Sequence, residues 1–165
     1  MTLKNIPLPA VVLANLFKHS LIGLQVNEKQ LIHQCDDIIF FGGNNKHILL
    51  LVNNPDADFL PDDQLTFLTG ILTACNLSMD DVAIVNLNKP DELNYKNIPD
   101  ILKAEIIILS GIELSRLELP FKIPLFQVQL YKGQKYIPVP SLHAIQKDTV
   151  LKRKLWELLR IVFSV

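Results

Sequence analysis

Three short segments constrain this 165-residue chain more than anything else in it: Ile48–Val52 (Ile-Leu-Leu-Leu-Val), Val82–Val85 (Val-Ala-Ile-Val) and the apolar end of Glu105–Leu109 (Ile-Ile-Ile-Leu). Successive side chains of a strand point to opposite faces, so an unbroken apolar run makes both faces apolar. Such strands belong in the middle of a sheet whose two faces are covered, as in parallel sheets with helices above and below. Segments of helical period lie between and after them. Asp62–Asn76 sets Leu65, Leu68, Leu72 and Cys75 at steps of three and four, with Asp62 and Asp63 at the positive end and Asn76 as a stop. Pro99–Ala104 predicts a short helix. Asp148–Phe163 predicts a long closing helix with Leu151, Leu155, Leu158 and Val162 on one face and a second apolar strip of Trp156, Leu159 and Phe163. The alternation predicts an α/β fold, a three-layer α/β/α sandwich around a mostly parallel central sheet.

Two strand pairs complete this expectation. Ile38–Phe41 and His47–Val52 flank Gly42-Gly43-Asn44-Asn45, residues that tolerate positive φ, which predicts a β-hairpin. Leu125–Leu130 and Lys135–Val139 form a second pair around Lys132-Gly133-Gln134. At the start, Pro9–His19 predicts a short helix with proline in its first turn. It is apolar nearly throughout, Val11, Val12, Leu16 and Phe17 included, so it is expected to pack against the core or a partner. The length fits one domain: an N-terminal helical segment over 1–22 and a core over 37–165.

Composition narrows the function classes. With 49% hydrophobic and 20% charged residues, the chain is not a disordered or low-complexity tail. It has no apolar run of the ~20 residues needed to cross a bilayer, and Met1–Pro9 does not have the pattern of a signal peptide. A cytoplasmic protein is expected. Cys35 and Cys75 are too few for a disulfide framework, and His19, His33, His47 and His143 show no metal-ligand spacing, so neither metal nor cofactor is expected. The net charge of −1 makes the whole molecule no trap for nucleic acid. The charges are nevertheless uneven. Asp56, Asp58, Asp62, Asp63, Asp80 and Asp81 cluster in the middle, while Lys147, Lys152, Arg153, Lys154 and Arg160 gather near the end. The latter form either a modest basic patch or the solvated face of the last helix.

In an open α/β sheet the ligand site lies outside the carboxyl ends of the strands. That edge is expected to hold Asn53-Asn54-Pro55-Asp56, Asn86-Leu87-Asn88-Lys89, Ser110-Gly111 and Pro138-Val139-Pro140-Ser141. Ser110 and Ser141 lack a nucleophile elbow and a His/Asp partner by spacing, so they are expected to be loop and capping hydroxyls. Gly42-Gly43 lacks the rest of a phosphate-binding fingerprint.

The order of these loops resembles the uracil-DNA glycosylase superfamily. "HILLLVNNPDADF … LTGILTACNLSMDDVAIVNLNK" is similar to its opening, where a strand ends in a proline-containing, water-activating loop, a helix follows, and the next strand ends in Asn plus Lys. "AEIIILSGIEL" resembles its third strand and Gly turn, and "PVPSLHAIQKDTVLKRKLWELL" its closing His-Pro-Ser-type loop and helix. Pro140–Trp156 also resembles the psi subunits of bacterial DNA polymerase III, which have the glycosylase-like fold without its activity. The resemblance spans about Lys46 to Phe163 and rests on order and spacing.

Departures from that pattern bear on activity. The superfamily's chemistry uses a group that positions water, a close backbone loop and a His that stabilises the departing uracil anion. Loss of one such donor removes roughly 3–4 kcal/mol of transition-state stabilisation. Val139 stands where that His is expected. Asp56 follows Pro55 where family members carry Gly, and Phe59 is the one candidate for stacking on a flipped base. The resemblance therefore implies a non-catalytic binding component of the replication machinery, with clamp-loader or single-strand-binding-linked proteins as partners. Asn53, Asn54, Asp56, Asn86, Lys89, Ser110 and Ser141 would then line its ligand- or DNA-facing loops, and Lys147, Lys152, Arg153 and Arg160 its basic patch. Lys89 and that patch would give at most weak, salt-sensitive contact to nucleic acid. The alternatives are an active glycosylase using Asn54 or Asp56 for water and His143 as donor, and an α/β domain with an unrelated small-molecule site at the same edge.

Overall fold

A computed structural model describes residues 32–35, 38–88 and 95–165. The expected N-terminal helix Pro9–His19 and Lys89 lie outside these residues. Among the described residues, seven strands form one sheet: β1 (Ile32–Cys35), β2 (Ile38–Phe41), β3 (Ile48–Val52), β4 (Val82–Asn86), β5 (Ile106–Ser110), β6 (Gln129–Tyr131) and β7 (Gln134–Val139), in the order β1-β2-β4-β3-β5-β7-β6. The helices are α1 (Asp62–Ala74), α2 (Ile98–Ile101), α3 (Leu142–Lys147) and α4 (Thr149–Phe163), with 3-10 turns at Met79–Asp81, Tyr95–Asn97 and Leu114–Leu117.

The three strands that opened the argument sit side by side. β4, β3, β5 and β7 are parallel, with Leu50 opposite Ile84 on one side and Ile108 on the other. Their alternation is strict. Ile48, Leu50, Val52, Val82, Ile84, Ile137 and Val139 enter one core with Leu68 and Leu72 of α1, Cys75 just after it, Leu142 and Ile145 of α3, and Leu155, Leu158 and Leu159 of α4. Leu49, Leu51, Ala83, Val85, Ile107, Leu109 and Tyr136 enter a second core with Ile98, Leu102, Leu117 and Ile123. One face is thus covered by three helices and the other by a thinner layer of short helix, 3-10 turns and loop. The α/β expectation holds at this level.

The sheet is mixed rather than mostly parallel, because β1–β2, β2–β4 and β6–β7 pair antiparallel. The expected hairpin between Ile38–Phe41 and His47–Val52 does not form. β2 pairs with β4, Phe41 opposite Ile84, and not with β3. The Gly-Asn loop instead carries the chain across the start of β4, where the N–H groups of Gly43, Asn44, Asn45 and Lys46 donate to the carbonyls of Met79, Val82, Asp80 and Asp81. A Cβ on Gly42 would sit 2.2 Å from the Val82 carbonyl oxygen, and one on Gly43 2.4 Å from that of Asp80. The two glycines therefore permit a close backbone crossing rather than a tight turn. The second pair does form, but β6 begins at Gln129 rather than Leu125. Its two-residue turn has positive φ at both Lys132 and Gly133 (50° and 80°), as a hairpin of matching twist requires.

Candidate functional site at the carboxyl edge of the sheet

Order β4-β3-β5-β7 makes the chain leave β3 and β5 toward opposite sides, so the topological switch point lies outside Val52 and Ser110. Asn53, Asn54 and Asp56 follow β3, Asn86 ends β4, Ser110 ends β5, and Ser141 follows β7. The expected loops therefore do share one edge. They are organised as two clamps.

The first clamp is built on Asn86, which is only 7% exposed. It continues the Val82, Ile84 row one step past the apolar core, so its amide arrives beneath the loop after β3. The side-chain Oδ1 accepts the N–H groups of Asn54 (2.9 Å) and Asn88 (3.1 Å), and Nδ2 donates to the carbonyls of Asn54 (2.7 Å), Ala57 (2.9 Å) and Asp58 (3.3 Å). Asn54 in turn accepts the Asp56 N–H at 3.0 Å, an Asx turn. A primary amide has two donors and two acceptor sites, so Asn86 is saturated by backbone and holds the loop instead of offering itself to a ligand.

The second clamp is built on Ser110, 4% exposed. Its hydroxyl donates to the Pro140 carbonyl (3.3 Å) and accepts the Leu142 N–H (3.1 Å). Gly111 has φ +66°, donates its N–H to the Val139 carbonyl (2.9 Å), and would place a Cβ 2.9 Å from Ser141 Cβ. Ser141 caps α3 by accepting the Ala144 N–H at 3.3 Å. Both serines thus act as the loop and capping hydroxyls expected of them.

The remaining candidates are dispersed. Asn53, Asp56 and His143 are exposed, His143 in the first turn of α3. Among the described residues, no hydrogen bond or ion pair joins His143 to Asn54 or Asp56. Val139 is 2% exposed and points into the core with Ile137 and Leu142. Phe59 packs on that same core, its ring tilted 44° to Phe41 at 5.7 Å. Cys75 is a core residue whose burial pushes the thiol pKa up, away from reactivity. No three His, Cys, Asp or Glu among the described residues group to hold a metal, and no helix among them is long and apolar enough to cross a membrane.

Two features escaped the sequence. Arg116 lies over the Tyr95 ring (5.5 Å) and donates to the Leu87 carbonyl (3.4 Å), which also accepts the Tyr95 hydroxyl at 3.1 Å. These contacts pin the chain after β4 to the far layer, and a lone Arg in a single 3-10 turn gives no sequence signal for this. The other is a cleft between α1 and α4 involving Trp156, which the helical period assigned to a second buried strip; Trp156 is 38% exposed. Lys147, Lys152, Arg153 and Arg160 are likewise exposed on α3 and α4. No known protein family and no curated protein matches this chain.

Proposed function

We propose that the chain is a non-catalytic protein of the uracil-DNA glycosylase-like class, similar to the psi subunits of DNA polymerase III, and works as a binding component of the replication clamp-loader machinery. The observation that carries this reading is Val139. It occupies the place where the resemblance calls for an imidazole, and its side chain is aliphatic and buried in the core. An aliphatic group donates no hydrogen bond to a departing uracil anion. The four segments that carry the resemblance follow the four adjacent parallel strands in order, which supports the finer fold assignment. Asn86 and Ser110 are committed to loop clamps, which supports a binding rather than a catalytic role.

Two measurements test the proposal. A uracil-containing oligonucleotide should release no free uracil above the uncatalysed rate; release abolished by His143→Ala would establish the active-enzyme alternative. Affinity capture from the native host should recover clamp-loader or single-strand-binding proteins, and recovery of no replication component would overturn the assignment.

A further inference from the structure

Away from the carboxyl edge, α1 and α4 leave between them a cleft of about 120 Å³ lined by Phe67, Ile71, Lys152, Leu155, Trp156 and Leu159. A closed cavity of ~150 Å³ accepts benzene; this cleft is slightly smaller but open at the exposed Trp156, so it takes a branched aliphatic side chain or the greater part of one aromatic ring. Helical spacing builds it. Phe67 and Ile71 are four apart on α1, and Leu155 and Leu159 four apart on α4, while Lys152 and Trp156 form the outer wall on the same helix. The α1 wall is low beside Gly70, which is exposed and where a Cβ would meet nothing within 4 Å.

Among the described residues, the lining carries one cation. Lys152 holds its ammonium 5.8 Å over the Phe67 ring. Lys147, Lys152, Arg153, Lys154 and Arg160 are all exposed on α3 and α4; Arg160 donates its Nε–H to an oxygen of Val165 at 3.3 Å, and no ion pair joins the other four to a carboxylate among the described residues. The same layer carries exposed acids, Glu157 on α4 and Asp62 and Asp63 in the first turn of α1, while Asp148 is occupied in capping, accepting the N–H groups of Val150 (2.7 Å) and Leu151 (3.2 Å). An apolar slot walled by one lysine, beside helices α3 and α4 whose cations outnumber their acids, is complementary to an apolar side chain flanked by carboxylates.

We propose that the α1–α4 cleft docks an acidic peptide segment of a partner protein, which inserts one aromatic or branched aliphatic side chain beside Trp156 and sets its flanking carboxylates on Lys152 of the wall and on Arg153, the next residue of the same helix. A single strand of nucleic acid is the poorer fit. It needs successive aromatic platforms along a basic track, whereas here Phe67 is half-buried under Lys152 and Trp156 is the one exposed ring of the described lining. The inference does not depend on the glycosylase-like reading, because it uses no residue of the carboxyl edge.

Trp156 is the sole tryptophan of the chain, so its fluorescence reports on the cleft directly. The full chain is titrated with a labelled synthetic peptide, Asp-Asp-Glu-Phe-Asp-Glu-Asp, following both Trp156 emission and anisotropy. Saturable binding that shifts Trp156 emission is expected. It should weaken about tenfold or more when the peptide's Phe is replaced by Ser, and equally in the Lys152→Glu, Arg153→Glu double variant of unchanged circular dichroism. The proposal is overturned by an unmoved Trp156 signal at millimolar peptide, or by equal affinity of the Ser peptide. It also fails if a dT oligonucleotide binds more tightly than the peptide, or if Trp156 emission depends on protein concentration alone, which would make a second copy the occupant. A Trp156 shift on Phe17→Asp without peptide would assign the cleft to the chain's own N-terminal segment and likewise overturn it.

Discussion

The carboxyl edge of the sheet and the α1–α4 cleft are built on opposite principles. At the edge, polar side chains are plentiful and their hydrogen bonds are completed within the chain: Asn86 serves five backbone partners and Ser110 two. In the cleft, the surface is apolar, and Lys152 in its wall meets the Phe67 ring but no carboxylate among the described residues. A buried polar group that is fully satisfied contributes rigidity, and removing it is costly, whereas unmet apolar surface and unpaired charge leave free energy for a partner to gain. Polarity and position at a strand end therefore mark where a site is expected by topology, while incomplete interactions mark where binding is to be measured.

Substitutions sharpen that contrast, beginning with the strongest. Asn86→Ala should cost about 3 kcal/mol in urea denaturation, because several buried backbone groups lose their partner at once; a loss below about 1 kcal/mol would mean that the clamp does not hold the loop. Gly111→Ala should cost about 2 kcal/mol, since it combines positive φ with a Cβ pressed on Ser141. Ser110→Ala should cost about 1.5 kcal/mol by leaving the Leu142 N–H unpaired. On the far face, burial foremost, then the charge of Asp100 and then Tyr131, raise the pKa of Tyr136 above its ordinary 10.0. The folded state then keeps the phenolic proton longer than the unfolded chain, so stability is intact below about pH 10 and falls as pH rises through the raised value. Tyr136→Phe should flatten that alkaline decline in pH-dependent melting. Lys152→Glu with Arg153→Glu should alter stability by no more than about 0.5 kcal/mol, as both are exposed and neither is in an ion pair among the described residues. A large loss there would make the cleft part of the fold's own support and erase the comparison.

The parts of the fold legible in the sequence are those set by a single local rule. β3, β4 and β5 declare themselves by being apolar on both faces, and α1 and α4 by their period. β1, Ile-His-Gln-Cys, is mostly exposed at the sheet's end and carries no alternation, so nothing local marks it. α3 is a helix of six residues between Ser141 and Asp148, too short for a period to show before α4 begins. The Gly-Asn loop failed for another reason: positive φ is a local property, but whether it makes a turn or a crossing depends on β4, nearly forty residues on. The site divides in the same way. Topology and strand ends named Asn86 and Ser110 as neighbours of the edge, but their partners lie on loops whose approach only the folded chain defines. Trp156 was assigned to an apolar strip because spacing gives a side chain's azimuth on its helix, not how far the next helix extends to cover it.

The two kinds of strand neighbour in this sheet also set how the chain reaches it. β6 and β7 meet across the two-residue turn at Lys132-Gly133, a closure on the microsecond scale. β3 meets β5 with Ile48 opposite Ile106, so the centre of the sheet waits on the closing of a long loop. Assembly limited by such distant pairings runs in milliseconds to seconds. Until β3 arrives, the oily flanks of β4 and β5 stand bare, and the interval before that encounter is when this polypeptide is most exposed to aggregation.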